Sequence, residues 1–150
     1  MGQSLHVKYS HLVFSTKNRA PLISPNFEPR LFAYLGGILR DHEARLLAIG
    51  GMPDHVHLII RDSKSVTDVQ MMKNLKGGSS KWVNESADMP DRFAWQAGYG
   101  WFSVGPRGLE AARDYVNGQK AHHKTESFQD EFRRFLRQYD VDFDERYVWD

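Results

Sequence analysis

Pro53-Asp54-His55-Val56-His57-Leu58-Ile59-Ile60 is a short apolar run that carries two histidines one residue apart. As a β-strand it alternates faces, so His55 and His57 point one way while Val56 and Leu58 point the other. One face is then core. The other offers two imidazoles about 7 Å apart along the strand, close enough to converge on one ion. The spacing also fits two polar residues on the solvated side of an edge strand, because a two-histidine pattern is weak without a third ligand. Just upstream, Arg45 to Ile49 form a second apolar run, and Gly50-Gly51 with Pro53-Asp54 mark a tight turn. Two strands joined this closely predict an antiparallel hairpin.

Working outward, Leu5 to Thr16 are rich in β-branched and aromatic residues and predict a long first strand. Pro21, Pro25 and Pro29 mark the loop after it. Leu31, Tyr34, Leu35, Ile38 and Leu39 recur at helical spacing. Beyond the hairpin, a second helix is expected from about Ser65, broken at Gly77-Gly78 because paired glycines cost roughly 2 kcal/mol relative to alanine. Ser86 to Gly98 read as a loop, Tyr99 to Val104 as a fourth strand, and Leu109 to His123 as a third helix. Ser127 is a plausible N-cap for a last helix striped by Phe128, Phe132, Phe135, Leu136 and Tyr139. The order β-α-β-β-α-β predicts an α+β, ferredoxin-like split βαβ fold: a four-stranded antiparallel sheet with both long helices on one face. The first and third strands would be central, placing both histidines on an open face of the kind that binds single-stranded nucleic acid.

The bulk numbers narrow the class. One hundred and fifty residues suit one domain, residues 1–150, and a charged fraction of 26% argues against disorder. A formal charge of +1 does not announce a nucleic-acid binder, although it can hide a local basic patch. The absence of cysteine excludes thiolate catalysis, disulfides and cysteine zinc sites. No secretory signal and no run of roughly 20 apolar residues are visible, so the expectation is a cytoplasmic protein with no membrane partner.

The helix after Pro106 carries Tyr115, Gln119 and His122 at i, i+4 and i+7, all on one face. Alone, Tyr115 and Gln119 would pass for a half-buried aromatic beside a surface amide. With the histidine strand they supply two imidazoles, an amide oxygen and a phenol, which can hold a cation beside a nucleophile. Lys73, Lys76 and Lys81 flank Gly77-Gly78-Ser79-Ser80, where glycines would let backbone amides approach a phosphate. Lys17 and Arg19 are weaker phosphate candidates of the same type. A solvated basic face accounts for these residues equally well.

In these stretches the chain resembles the HUH single-tyrosine transposases, the IS200-like insertion-sequence family and its REP-associated relatives. The matching segments are Gly51 to Leu58, Leu75-Lys76-Gly77-Gly78-Ser79-Ser80, Trp95 to Gly100 with Phe102-Ser103-Val104, and Tyr115-Val116-Asn117-Gly118-Gln119. Phe128 to Phe132 and Asp144 to Trp149 also look like the family. One departure is Gly118, which loosens the tyrosine helix by about 1 kcal/mol relative to alanine.

The resemblance implies a C-terminal catalytic helix and a divalent ion, magnesium or manganese, on His55, His57 and Gln119. Tyr115 would attack single-stranded DNA at hairpin-bearing element ends, giving a 5′-phosphotyrosine and a free 3′-hydroxyl. It also implies a homodimer in which one subunit's tyrosine helix can complete the other's histidine site. A phenol of pKa about 10 is only about 0.1% ionised at pH 7, a deficit of roughly 4 kcal/mol. The metal, Lys120 or His122 are the nearby charges expected to offset it. Two other classes remain open at this point: a non-catalytic module that binds DNA or RNA hairpins, and a metal-dependent phosphodiesterase that uses water.

Overall fold

The structure, a computed structural model, describes residues 2–86, 89, 91–123 and 125–150. Four strands, β1 (Tyr9–Ser15), β2 (Arg45–Met52), β3 (His55–Arg61) and β4 (Gly100–Val104), form one antiparallel sheet in the order β2-β3-β1-β4. β1 and β3 are central, as the split βαβ pattern requires. β1 starts at Tyr9, not at Leu5. Tyr9 pairs with Arg61 on one side and Val104 on the other, and both neighbours end there, so Leu5 and Val7 have no strand to bond and lie exposed.

Helices α1 (Glu28–Asp41) and α2 (Asp68–Ser86) cover one face. Leu31, Leu35 and Leu39 of α1 and Met71, Met72, Leu75 and Val83 of α2 meet Leu12, Phe14, Val56, Leu58 and Ile60 of the central strands. α2 starts at Asp68 and runs unbroken through Gly77-Gly78, contrary to the expected interruption. The packing gives the reason: a Cβ on Gly78 would lie 3.2 Å from Ile38 Cδ1, so this glycine lets α1 and α2 approach closely. Burial between the two helices offsets the glycine propensity cost.

The opposite face is not open, as the sequence suggested. Three C-terminal helices cover it: α3 (Leu109–Asn117), α4 (Gln119–His122) and α5 (Phe128–Gln138). α3 buries Val116 against Ala48 and Ile59. α5 starts on Ser127, whose hydroxyl accepts from the Asp130 amide, and seats Phe128, Phe132, Phe135 and Leu136 on Val13 and Phe102. The tail closes over this layer, with Trp149 against Phe128 and Phe132. The histidine face of the central strands is therefore a buried seam between the sheet and α3–α5. Among the described residues, no helix is long and apolar enough to cross a membrane.

Candidate active site

His55 and His57 lie at the centre of that seam and are almost wholly buried. His55 Nδ1 is 2.7 Å from Asp54 Oδ1, which fixes the ring and turns Nε2 inward. His57 Nδ1 is 2.8 Å from Nε2 of His11, a buried β1 residue on the same face. Both strand histidines thus aim Nε2 at one point, each held from behind by a partner.

That point is occupied by a residue the sequence reading missed. Glu131 of α5 is fully buried, with Oε1 2.7 Å from His57 Nε2, 3.1 Å from His123 Nε2 and 3.6 Å from His55 Nε2. His123 Nε2 is also 3.1 Å from His55 Nε2. His55, His57, His123 and Glu131 form a group whose ligand atoms all lie within 4.8 Å of one another. The signal for Glu131 was its spacing: it sits three residues after Phe128 and four before Phe135, inside the apolar stripe of α5. A carboxylate there must find partners or not be ionised.

Tyr115 completes the cluster. Its ring stands 6.0 Å from that of His57, and its hydroxyl donates to Glu131 Oε2. Arg134 Nη2 donates to the same phenol oxygen at 2.8 Å. Glu126 holds this guanidinium through Nε at 3.2 Å and Nη2 at 3.0 Å. The charges acting on the phenol are therefore Glu131 and Arg134. His122 stacks edge-on to the Tyr115 ring at 4.9 Å and sits 2.7 Å from Glu126 Oε1. Lys120 points elsewhere, onto Glu28 at 2.7 Å and the Gly51 carbonyl at 3.1 Å.

The electrostatics follow from these contacts. Burial, then the hydrogen bond and negative charge of Glu131, push the Tyr115 phenol well above its ordinary value, while Arg134 pulls the other way. Burial also raises the Glu131 carboxyl, but hydrogen bonds from His123, His57 and Tyr115 prevail and hold it far below the carboxylate range. Burial lowers His57 to about 4 and His11 to about 3. At neutral pH the resting cluster is thus an anionic Glu131 ringed by donors, with Tyr115 protonated.

Gln119 is placed differently from its sequence expectation. The helix breaks at Gly118, whose amide reaches back to Asp114 at 3.0 Å, so Gln119 opens α4. Its Nε2 donates to the Tyr115 carbonyl at 3.3 Å, while Oε1 is buried with no hydrogen-bond partner among the described residues. An orphaned amide oxygen beside the histidine strand is what a bound ion would satisfy. Gly50, opposite His57 in the β2–β3 register, makes this approach possible. A Cβ there would lie 2.0 Å from the Val116 carbonyl oxygen and 3.5 Å from Gln119 Cγ.

The basic candidates separate into two sets. Lys17, Lys73 and Lys81 are exposed, while Arg19 is half-buried near Trp149. Ser79 is wholly buried, bonding the Leu75 carbonyl and accepting from Trp95 Nε1 at 2.8 Å, so it is internal packing and not a phosphate contact. Ser80 caps back onto the Gly77 carbonyl at 3.3 Å. Lys76 ties down the Ala97 and Gly98 carbonyls at 3.0 and 2.7 Å, and burial lowers its pKa to about 8. Its charge serves the loop before β4.

Residues 4–119 match the family model described as "Transposase IS200 like". The chain belongs to the IS200-like transposase family. The match ends at Gln119 and so includes His55, His57 and Tyr115 but not Glu131 or Arg134. No curated protein matches the chain. Among solved structures, a protein assigned as a transposase from Deinococcus radiodurans R1 superposes with a TM-score of 0.63 at 22% identity, covering 79% of this chain and 96% of that one. A REP-associated tyrosine transposase bound to a REP hairpin superposes with a TM-score of 0.60 at 14% identity, covering 82% of this chain and 74% of that one. Both likenesses establish the shared α+β fold.

Proposed function

We propose that this IS200-like transposase cleaves and rejoins single-stranded DNA at hairpin-bearing ends through a covalent 5′-phosphotyrosine on Tyr115. The observation that carries the reading is that Tyr115 Oη shares one carboxylate, Glu131, with His57 and His123. A phenol built into a histidine cluster is arranged for chemistry at that oxygen. The hairpin as substrate is supported by the hairpin-bound structural neighbour.

His55 and His57 Nε2 would hold a divalent ion, magnesium or manganese, with the orphaned Gln119 Oε1 as the third donor and Glu131 and His123 within reach. This mixed nitrogen and oxygen set suits a borderline ion such as manganese. When bound, the ion supplies a Lewis acid that polarises and orients the scissile phosphate. The chain's own groups do the rest. Tyr115 Oη forms a bond to phosphorus as the bond to the 3′ oxygen breaks, and the phenol proton ends on that 3′ oxygen. Glu131 Oε2 accepts the phenol's hydrogen bond before attack and so orients Oη. The phosphotyrosine conserves the energy of the broken linkage, so the reverse attack by a 3′-hydroxyl needs no ATP. Lys17, Lys73 and Lys81, which are exposed, and the half-buried Arg19 would be the side chains to meet backbone phosphates. The link from β4 to α3 comprises only residues 105–108 and holds Tyr115 near its own sheet, so we propose cleavage within one subunit of any homodimer.

The test uses 3′-fluorescein-labelled single-stranded stem-loop DNA with randomised flanks, incubated with manganese and run on a denaturing gel. Wild-type protein should carry the label. Tyr115→Phe should lose the adduct while binding DNA within about threefold of wild type. An adduct that persists in Tyr115→Phe rejects this nucleophile. Turnover without adduct would instead indicate a water-using phosphodiesterase, and binding that survives chelation with no cleavage would indicate a hairpin-binding module.

A further inference from the structure

We propose that Arg134 grips the scissile phosphate during attack by Tyr115, an inference that rests on the tyrosine being the nucleophile. Arg134 Nη2 lies 2.8 Å from Tyr115 Oη. For attack, phosphorus must come to about 3–3.5 Å from that oxygen. A phosphate that approaches Oη on the Arg134 side brings a non-bridging oxygen within hydrogen-bond reach of the same guanidinium. No movement of α5 is needed to make the contact.

The side chain is built for this. Glu126 takes Nε and Nη2 side-on, which fixes the plane of the guanidinium, and Nη1 makes no hydrogen bond among the described residues. Both N–H donors of Nη1 are thus left free at the edge of the guanidinium fork, next to the Nη2 bond to Tyr115, in a plane of known orientation and with the charge that suits phosphate. Arg134 is 42% exposed, whereas Glu131 beside it is fully buried, so Arg134 faces the direction from which DNA must arrive. Its guanidinium also lies over the Tyr115 ring, 5.6 Å from the centroid, so it moves with the nucleophile. As Oη bonds to phosphorus, negative charge builds on the phosphoryl oxygens. A permanently charged donor 2.8 Å from the attacking atom stabilises that charge more than it stabilises the bound substrate.

Lys120 and His122 do not compete for the role. Lys120 is committed to Glu28, and His122 shares Glu126 with Arg134, its Nε2 3.4 Å from Nη2. Arg134 lies fifteen residues beyond the end of the family match at Gln119, so the assignment comes from the geometry of this chain.

The experiment measures single-turnover adduct formation on the 3′-labelled stem-loop pool with manganese, and DNA binding by fluorescence anisotropy. It compares wild type, Tyr115→Phe, Arg134→Lys, Arg134→Gln and Arg137→Gln. Arg134→Gln should slow adduct formation by about 10²–10³-fold, the range for losing one transition-state donor. Its DNA affinity should stay within about threefold of wild type. Arg134→Lys keeps the charge but loses the fork and should fall in between. Arg137→Gln, on the exposed side of the last turn of α5, should leave the rate unchanged. If Arg134→Gln does not fold, Arg134→Lys carries the test, with at least a tenfold loss expected. Adduct formation within threefold of wild type in a folded Arg134 variant overturns the inference and leaves the Tyr115 reading standing. Absence of any adduct in wild type overturns both.

Discussion

His11 is the residue whose contribution depends most on its surroundings. Its Nε2 meets His57 Nδ1 at 2.8 Å, so the pair shares one proton and the state of one ring sets that of the other. In the metal-free chain, His57 donates Nε2–H to Glu131 and its Nδ1 accepts from His11. An ion taking the Nε2 lone pair would move the proton to Nδ1 and reverse the bond to His11, which is how a partner behind a ligand fixes its tautomer. Both rings stay neutral because they are buried, with values near 3 for His11 and 4 for His57. Tyr115, Glu131 and Phe135 surround the pair, and the Glu131 charge only partly offsets the burial. The sign of the pH effect follows. Between pH 6.5 and about 4 the unfolded chain binds protons that the folded chain refuses, so stability is full above 6.5 and falls as pH drops through this window. Each such histidine contributes a slope of at most roughly 1.4 kcal/mol per pH unit. His123, whose pKa is raised, is already protonated in both states below 6.5, and the depressed Glu131 acts only below about 4.5. Asp62, with a raised pKa, opposes the trend near the foot of the window. Urea midpoints of chelator-treated protein at pH 6, 5.5, 5 and 4.5 should therefore decline steadily, and His11→Gln should remove about half of the slope. A flat profile in wild type would contradict the neutral pair.

Elements differ in how far their sequence announced them. The β2–β3 hairpin, α1 and α5 were legible because each carries its own periodicity, with Pro53-Asp54 as a turn and Ser127 as a cap, although Gly50-Gly51 belong to β2 and Pro29, read as loop, lies in the first turn of α1. The α2 break and the early β1 start were misread because what decides them is tertiary. Gly78 is tolerated through its contact with α1, and β1 can begin only where both neighbours offer partners. The site divides along the same line. His55, His57 and Tyr115 were visible as a strand pair and a helical phenol, and His123 as a base candidate, whereas the convergence of Glu131, His123 and Arg134 on Tyr115 depends on how the C-terminal helices dock on the sheet. Gly50 is the element-scale counterpart of that docking. It is the point where α3 crosses β2, and the Val116 carbonyl lies where a side chain would begin. Gly50→Ala must push the end of α3 away from β2 while the α1–α2 face stays packed. The expected result is a loss of about 1–3 kcal/mol in stability, as for overpacking elsewhere, and a drop of about 10²-fold in adduct formation from a misplaced Tyr115. Thermal melting and the gel assay read the two effects separately. A variant with wild-type adduct rate would mean that α3 can shift without consequence.

Whether one chain suffices is a question for the whole molecule. Around Tyr115 gather the histidines of β3, His123 after α4, and Glu131 and Arg134 of α5. Exchanging the tyrosine helix with a second subunit would have to stretch the link from β4, which comprises only residues 105–108 and reaches at most roughly 14 Å. A link this short favours a site completed within one chain over an exchanged helix, which makes the arrangement testable. Mixing distinguishes the arrangements. His57→Gln lacks the histidine half of the site and Tyr115→Phe lacks the nucleophile, so each alone should give no adduct. If the tyrosine helix were exchanged, a mixed dimer would hold one intact site, and adduct would return on mixing after co-refolding. With the site closed within one chain, the mixture should stay at the background of the separate variants at every ratio. Adduct recovered on mixing, carried on the His57→Gln chain and identified by a mass tag, would show that α3 leaves its own sheet despite the contacts holding it there.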